Sequence, residues 1–335
     1  MTSRAASLLG NRGVIWIART TVSVIVLALI FHFVPFATVW KAMRLLPPAL
    51  WLSALALFLC GHAVAAAKWR LLIGAEVPFA RAFRAHLAGL GANLALPGVA
   101  GGDVVRAGMV MGLVKDRGRL AVGSLADRLI DTLGLLLIML AGAFFAWHPA
   151  LGATSLYLRA LVVAIVVGII LVFALAGRVD TMLKARANPG KLLRIASKIM
   201  SAVADLTREP GRLALCLILS MLVQCLFVAI NIALAHAVGL DAPYAAWFYA
   251  WSGSKIIAIA PISLGGLGVR EASMAALLRP FHANAGDVIA VGLIWQTILY
   301  SSGVIGIIVQ SLFSGGPSKA SAHPTPNDVT KGQLS

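Results

Sequence analysis

The chain has 335 residues, of which 60% are hydrophobic and only 12% are charged, and its mean hydropathy is +0.92. Soluble globular domains carry about a quarter of their residues as charged side chains, so this composition excludes them and predicts a polytopic helical membrane protein. The net charge of +16 does not indicate nucleic-acid binding, because the basic residues lie in short loops between apolar spans, as the positive-inside rule predicts.

The first predicted element is a transmembrane helix at 14–34, after a cytoplasmic N-terminus at 1–13. Basic residues precede this run as in a signal peptide, but no small-residue cleavage pattern follows it, so we predict a retained helix. A short loop carrying Lys41 and Arg44 leads to a second span at 49–67. Further full spans are predicted at 120–146, 159–177, 213–237 and 285–313, and residues 314–335 are predicted to form a disordered cytoplasmic tail.

Residues 85–114 interrupt this pattern between two basic loops, 68–84 and 115–119. Both loops should be cytoplasmic, so the segment must enter the membrane and return. It is too short for two full spans and a turn, which favours a re-entrant hairpin of two half-helices. The same parity argument predicts a second hairpin at 245–281 and places both termini on the cytoplasmic side of the inner membrane.

The two interrupted segments share a motif. PGVAGGDVVR (97–106) and PISLGGLGVR (261–270) have P-x-x-x-G-G-x-x-V-R in common, and upstream GAEVPFARAF (74–83) matches GLDAPYAAWF (239–248). After the hairpins, Gly123 and Gly134 have the same spacing as Gly292 and Gly303. Each repeat unit would cross the membrane three times, which is an odd number, so the second copy would have the opposite orientation in the membrane. Such inverted repeats are typical of transporters. We therefore predict an all-α protein with two inverted repeats, 14–146 and 159–313, comprising six full spans and two hairpins whose turn residues are Pro97, Gly101, Gly102, Pro261, Gly265, Gly266 and Gly268.

The hairpin turns are the first candidate site. Each half-helix that follows a turn points its free N–H groups and positive dipole end toward the middle of the membrane, where they can attract an anion. Arg106 and Arg270 lie near these ends and add formal charge, while Asp103 and Glu271 supply acids that hold the arginines or accept a ligand. Ionisable residues at this depth are costly and indicate function, with a turn-fixing salt bridge as the simpler alternative.

A second group of charges lies in SLADRLIDTLG (124–134). Asp127 and Asp131 are four residues apart and share a helix face, and Arg128 can reach Asp131 at a distance of three residues. The alternative is a purely structural pairing at the cytoplasmic interface.

Isolated polar residues give weaker signals. Lys255 lies in an apolar run before the second hairpin turn, where it is expected to snorkel or to pair with an acid such as Asp103 or Glu271. The uncharged candidates are expected to form hydrogen bonds between helices, and they are Asn93, Gln224 and Asn231.

The sequence has no pattern typical of a cofactor or metal site. Cys60, Cys216 and Cys225 lie in apolar segments without ligand spacing, and the seven histidines are scattered, with His62 and His86 expected near the ends of spans. Neither a phosphate-binding loop nor a nucleophile motif occurs. We therefore expect no cofactor, no metal and no enzymatic activity.

Three stretches resemble a known family. NLALPGVAGGDVVRAGMV, SLADRLIDTLGLL and ISLGGLGVREASM are similar to the membrane region of lysylphosphatidylglycerol synthases, which also forms stand-alone flippase-like proteins. The resemblance covers residues 14–313 and implies translocation of a lipid between leaflets. Bifunctional members carry a soluble aminoacyl-transferase domain after this region, so the resemblance does not imply synthase activity here. The matching residues are Pro97, Gly101, Gly102, Asp103, Arg106, Asp127, Arg128, Asp131, Gly265, Gly266, Gly268, Arg270 and Glu271.

We therefore expect a flippase-like protein that moves a phospholipid or lipid-linked headgroup, with membrane lipid as its substrate. The alternatives are a non-transporting subunit that scaffolds or regulates a lipid-biosynthetic enzyme, docking through the basic loop 178–212, and a small-solute transporter. The sequence does not define the oligomeric state. The residues expected to contact the headgroup are Asp103, Arg106, Asp127, Arg128, Asp131, Lys255, Arg270 and Glu271.

Overall fold

The computed structural model describes residues 36–74, 76–95, 100–146, 152–185, 207–258 and 268–313, together with 193, 197, 200, 201, 203 and 204. Several predictions lie outside these residues: the termini at 1–13 and 314–335, the first span at 14–34, and the turn residues Pro97, Pro261, Gly265 and Gly266.

The described chain is helical and contains no strand. Its α-helices with defined bounds are α1 (Phe36–Leu45), α2 (Pro48–Ile73), α3 (Phe79–Ala95), α4 (Ala100–Val110), α5 (Arg117–Phe145), α6 (Gly152–Lys184), α7 (Pro210–Ala237), α8 (Tyr244–Ile257), α9 (Val269–Leu278) and α10 (Ala285–Phe313), with a 3-10 turn at Arg279–Phe281 after α9.

Four of these helices are long and apolar enough to cross a membrane: α2, α5, α7 and α10 up to Leu312. Their apolar windows are only partly buried inside the protein, so much of their hydrophobic surface faces outward, as expected for helices in lipid. Helix α6 is 33 residues long and extends beyond the predicted span 159–177 at both ends. The predicted spans at 120–146 and 213–237 correspond to α5 and α7 within three residues at each end.

The start of the described chain differs from the prediction. The segment with Lys41 and Arg44 was expected to be a loop, but it forms α1, whose last turn carries Arg44 against the negative end of the helix dipole. Helix α2 has Pro48 at its first position, where a missing N–H is harmless. It ends at Ile73, because the next residue, Gly74, adopts a positive φ of 128° that does not continue a helix. Since α2 is longer than the predicted span 49–67, Lys68 lies within the helix.

Each interrupted segment contains two short helices, α3 and α4 in the first and α8 and α9 in the second. Gly101 and Gly102 were predicted to form the turn, but they lie in the first turn of α4. The reason is packing: a Cβ on Gly102 would lie 2.5 Å from the carbonyl oxygen of Gly89. Glycine therefore allows α4 to approach α3 at this point. Gly268, which was predicted to be a turn residue, has a φ of 80° and directly precedes α9.

The helices pack in a regular way around a central pair. Helix α2 lies against α7, with Phe58 stacked on Phe227 at a centroid distance of 5.0 Å. On either side, α3 packs along α10 and α8 packs along α5. Both of these contacts depend on glycine. A Cβ on Gly142 of α5 would lie 2.5 Å from the backbone nitrogen of Tyr249, and a Cβ on Gly306 of α10 would collide with the carbonyl oxygen of Leu87.

Candidate functional site

A buried group of charges joins three helices in the interior of the protein. Lys68 of α2, Arg106 of α4 and Asp127 of α5 are 1%, 5% and 3% exposed. Lys68 Nζ lies 3.1 Å from Asp127 Oδ1, and Arg106 Nη2 donates to Asp127 Oδ2 at 2.9 Å. Asp127 is thus held between two cations, which is the arrangement that allows a carboxylate to remain charged away from water.

The same group continues to the surface between α4 and α5. Asp131 accepts hydrogen bonds from Lys68 and from Ser220 Oγ of α7, the latter at 2.5 Å. Arg128 and Asp103 form an ion pair of 2.5 Å, and the Arg128 side chain is 44% exposed. Arg106 also lies 3.4 Å from Asp103. We name these residues the central charge cluster: Lys68, Asp103, Arg106, Asp127, Arg128 and Asp131.

The central charge cluster contains three cations and three acids, so its formal charge is zero. Aromatic packing fixes its cationic part: the guanidinium of Arg106 lies over the ring of Trp69 at 4.3 Å, and Trp69 Nε1 donates to Ser124 Oγ at 3.1 Å. These contacts connect α2, α4 and α5 through side chains that are one turn or less from the ion pairs.

Two predictions about this cluster need correction. Arg128 was expected to reach Asp131 on its own helix, but it pairs with Asp103 of α4. The partner of Asp131 is Lys68, which was predicted to lie in a basic loop and was not considered a site residue. The apolar run of α2 ends close to Lys68, so no local pattern indicates that this lysine points inward.

A second group of polar residues surrounds Arg270. Arg270 Nη2 donates to Glu271 Oε1 at 2.7 Å and to Gln296 Oε1 of α10 at 2.9 Å. Glu271 is fully buried, and its other oxygen accepts the backbone N–H of Gly268 at 2.7 Å. Glu271 therefore both neutralises Arg270 and satisfies a free donor at the start of α9. We call Arg270, Glu271 and Gln296 the α9 cluster.

Lys255 of α8 differs from the other inward-facing cations. Its Nζ donates to Gln224 Oε1 of α7 at 2.8 Å and lies 5.5 Å from the centre of the Phe227 ring. It forms no salt bridge with any acid that the structure describes, so the expected pairing with Asp103 or Glu271 does not occur. Lys255 therefore contributes one positive charge that is not balanced by an ion pair within the described residues.

Two histidines extend the central charge cluster. His62 Nδ1 of α2 lies 2.9 Å from His86 Nε2 of α3, and His86 Nδ1 lies 3.2 Å from Arg106 Nη1. Both were expected near the ends of spans, but both lie in the interiors of their helices. A scattered pair of histidines has no recognisable spacing, so only the fold reveals that these two rings meet.

The weaker polar candidates have local roles. Asn93 accepts the backbone N–H of Gly102 and so joins α3 to α4, and Gln224 joins α7 to α8 as predicted for a bond between helices. Asn231 instead donates to the carbonyl of Phe227 within its own helix. No group of three or more metal-binding side chains occurs in the described parts of the chain.

The ends of α2 and α7 are tied by Arg212. It donates to the backbone carbonyl of Leu71 and, at 2.8 Å, to Glu209 Oε2. Hydrogen bonding from Arg212 holds the pKa of Glu209 below its usual value. This pair lies at the end of α7, outside its apolar part.

In chemical terms, the interior offers acids and cations that already satisfy one another, together with Lys255. A phosphate could replace a carboxylate on an arginine, and an amine could replace a cation on a carboxylate, because both exchanges preserve charge-assisted hydrogen bonds. Such a surface suits a ligand that carries charge into an apolar bundle.

Comparison with known proteins gives one family. The family model for the lysylphosphatidylglycerol synthase TM region matches residues 16–306, which include the central charge cluster and the α9 cluster. This match confirms the resemblance indicated by the three sequence stretches. No curated protein matches the chain.

Proposed function

The chain belongs to the family of the lysylphosphatidylglycerol synthase transmembrane region, and on this basis we propose that it moves a phospholipid or lipid-linked headgroup between the leaflets of a membrane. The family and the apolar helices establish a multi-pass membrane protein linked to lipid handling. Translocation, the headgroup site and the inner-membrane location with cytoplasmic termini are the parts that we propose.

The observation that carries the proposal is the central charge cluster. Placing six ionisable side chains in a bundle of apolar helices, three of them almost fully buried, is costly, and ionisable residues within membrane segments commonly mark the path of a substrate or ion. The cluster also reaches the surface through Arg128 and Asp103, which gives a headgroup a polar entrance. The acyl chains would remain in the surrounding lipid.

The headgroup would bind by exchange with the internal ion pairs. We assign its phosphate to Arg106, Arg270 and Lys255, of which Lys255 is available without displacing an acid. Once a phosphate engages an arginine, the acid it displaces can hold a cationic part of the headgroup. The acids in this role are Asp103, Asp127, Asp131 and Glu271, with Arg128 at the entrance.

We also propose that the fold consists of two inverted repeats, with α3–α4 and α8–α9 as re-entrant hairpins. The aligned motifs pair Arg106 with Arg270, and the aligned glycines Gly123 and Gly292 pair Asp127 with Gln296. In both halves the arginine of the second short helix bonds to this residue of the following long helix. Matching contacts at matching positions support a duplicated unit.

The helix packing supports the same proposal. In the first half α3 packs along α10, and its counterpart α8 packs along α5. The upstream alignment of GAEVPFARAF with GLDAPYAAWF places Gly74 opposite Gly239, and the same register in the preceding helices places His62 opposite Phe227. The rings of His62 and Phe227 pack against each other, with their centroids 5.4 Å apart. Two equivalent residues in contact are expected close to a pseudo-two-fold axis, and inverted repeats in transporters are related by such an axis in the membrane plane.

The test is lipid movement in proteoliposomes that contain a fluorescent phospholipid, with outer-leaflet probe quenched chemically. The informative variant is Arg106→Gln with Asp127→Asn, which removes one cation and one acid and leaves the net charge unchanged. We expect it to slow lipid movement by about tenfold or more, equivalent to about 1.4 kcal/mol.

The matched control is Lys184→Gln with Asp180→Asn, which also removes one cation and one acid and leaves the net charge unchanged, but at an ion pair of α6 outside the proposed site. It should retain the rate of the unmodified protein. If correctly folded, unmodified protein moves no lipid, translocation is wrong and a scaffolding role with a lipid-modifying enzyme becomes the better explanation. If the Arg106/Asp127 variant is fully active, the headgroup site is wrong.

A further inference from the structure

The hydrogen bonds of His62 and His86 define their protonation. Arginine can only donate hydrogen bonds, so His86 Nδ1, which faces Arg106 Nη1 at 3.2 Å, must be an unprotonated acceptor. A neutral His86 then carries its proton on Nε2 and donates it to His62 Nδ1 at 2.9 Å. His62 is consequently also neutral, with its proton on Nε2. The bonding pattern therefore requires two neutral rings of the same tautomer.

This arrangement leaves one place for an additional proton. A proton on His62 Nδ1 would break the bond between the rings, whereas a proton on His86 Nδ1 would preserve it. Arg106 donates its hydrogen bond to His86 Nδ1. If that nitrogen were protonated, its N–H would face an N–H of the guanidinium, and two positive charges would lie side by side. Protonation of His86 and the His86–Arg106 hydrogen bond thus exclude each other.

We infer that His62 and His86 form a proton-binding site that controls Arg106. Uptake of one proton from water forms an N–H bond at His86 Nδ1, breaks no covalent bond within the protein, and detaches the guanidinium from His86. Arg106 then keeps its contacts with Asp127 and Asp103 and gains freedom to turn toward an incoming anion. The link from this event to lipid movement rests on the proposed function, but proton binding itself does not.

The surroundings of the pair come from five helices. The charged groups close enough to act on the two rings are Arg106 of α4, Asp131 and Arg128 of α5, Lys255 of α8 and Lys68 of α2. Phe58 of α2 and Phe227 of α7 cover the ring of His62 at centroid distances of 4.4 and 5.4 Å. The only acid in this set is Asp131, so a proton added to His86 is repelled by several cations and attracted by one carboxylate. Movement of a cation away from the ring relieves this repulsion, and Arg106 is the cation in direct contact with His86.

The comparison between the two proposed halves restricts the proton site to one of them. The register that places His62 opposite Phe227 also places His86 opposite Trp251. The guanidinium carbon of Arg270 lies 5.9 Å from the centre of the Trp251 ring, and an indole ring, which can only donate a hydrogen bond, does not take up a proton. The arginine in each half is thus held by an aromatic side chain, but only the half with His62 and His86 carries titratable rings.

The test uses nitrogen-15 magnetic resonance of the full chain in lipid nanodiscs, labelled at histidine and arginine. We expect two neutral rings with Nε2–H at about pH 8, and uptake of one proton by His86 as the pH falls toward about 4, below the range of an exposed histidine because the rings are buried among cations. The Arg106 side-chain signals, assigned by their loss in Arg106→Lys, should change with the same midpoint. The reference is His236, which lies at the end of α7 beside Asp241.

Two variants make the result specific. His86→Gln retains an oxygen that can accept from Arg106 but cannot bind a proton, so the Arg106 signals should no longer respond to pH. His62→Phe copies the residue of the second half and removes the acceptor of His86 Nε2–H, so the Nε2 signal should shift. The inference is overturned if His86 stays neutral throughout, if the Arg106 signals ignore its titration, or if His62→Phe leaves the Nε2 signal unchanged.

Lipid movement is measured on the same proteins at both pH values. We expect the unmodified protein to differ several-fold between them and His86→Gln to lose this difference. A titrating His86 with a pH-independent lipid rate would overturn the link between proton and lipid. An absence of lipid movement at either pH would contradict the proposed function, while the resonance data would still decide on the proton site.

Discussion

At the scale of single residues, Lys68 determines how the central charge cluster can exist. Lys68 is almost fully buried and forms ion pairs with both Asp127 and Asp131, whereas Arg106 pairs with Asp127 but not with Asp131. Removing a cation from such a group leaves an uncompensated carboxylate in an apolar environment, which costs more than the ion pair itself contributes. The cluster should therefore tolerate removal of matched charges better than removal of one.

A double-mutant cycle on Lys68 and Asp131 tests this expectation. Lys68→Met should destabilise the detergent-solubilised protein by about 3–5 kcal/mol, because Asp131 loses its ion-pair partner. Adding Asp131→Asn should recover a large part of that loss and leave the Arg106–Asp127 pair intact. Thermal unfolding followed by tryptophan fluorescence gives the comparison. A double variant that is less stable than Lys68→Met would contradict the charge-balance argument.

The predictability of these residues depended on the distance between partners along the chain. Asp127 and Asp131 were recognised because their four-residue spacing is a local property of a helix. Lys68, His62 and His86 were missed as site residues because their partners lie at least 20 residues away, where spacing carries no information. Family resemblance identified the motif residues, but it did not indicate which charges pair.

At the scale of elements, the short helices are positioned by what caps and supports their ends. Helix α9 begins directly after Gly268, and Glu271 accepts the Gly268 N–H while neutralising Arg270. The side chain thus joins the helix start to the buried cation. One residue combines two functions that are separate in α4, where Asn93 accepts the N–H of Gly102 and Asp127 pairs with Arg106.

Substitution of Glu271 separates these two functions. Glu271→Gln keeps an oxygen for Gly268 N–H but loses the charge, whereas Glu271→Ala loses both contacts. We expect the alanine variant to be less stable than the glutamine variant by about 1 kcal/mol, the usual contribution of a helix cap. Thermal unfolding of both variants measures the difference. Equal stabilities would mean that the bond to Gly268 contributes nothing.

Glycine positions test the packing between elements. Gly142→Ala and Gly306→Ala place a methyl group against the backbone of α8 and α3, which cannot yield as a side chain could. We expect each to destabilise the protein by about 1–3 kcal/mol. Gly168→Ala in α6 is the matched control, since no neighbouring atom lies within 4 Å of the position that the new methyl group would take, and it should be neutral or slightly stabilising. Thermal unfolding of the three variants gives the comparison.

Element bounds were predictable where hydrophobicity alone decides them. The span 285–313 coincides with α10, because an uninterrupted apolar run has clear ends. Helix α1 was missed because its ten residues are too few to form a spanning run and it carries two basic side chains. Gly101 and Gly102 lie in α4 rather than in the turn, and Gly102 there is in close contact with α3, which a sequence does not encode locally.

At the scale of the whole molecule, one helix of each proposed hairpin packs against a long helix of the other proposed half. Helix α3 belongs to the first half but packs along α10 of the second, and α8 of the second packs along α5 of the first. Helices that carry the central charge cluster are therefore in contact with helices of the other proposed half, so a shift of that half would move them. If the proposed halves move relative to each other, the surroundings of both arginines change together, which is the behaviour that the proposed lipid translocation needs.

The proposed inversion is directly testable by labelling from one side of the membrane. Glu76 and Asp241 occupy matching positions in the two halves, and both are exposed. After replacement of Cys60, Cys216 and Cys225, we expect Glu76→Cys and Asp241→Cys to react with an impermeant maleimide from opposite sides. Lys115→Cys should react on the same side as Glu76→Cys, because a re-entrant hairpin returns to the side it entered and the Lys115 N–H donates to Glu76. Labelling of Glu76→Cys and Asp241→Cys from one side would exclude the inversion. Labelling of Lys115→Cys opposite to Glu76→Cys would show that α3 and α4 cross the membrane, and the hairpin and the parity argument behind it would then fail together.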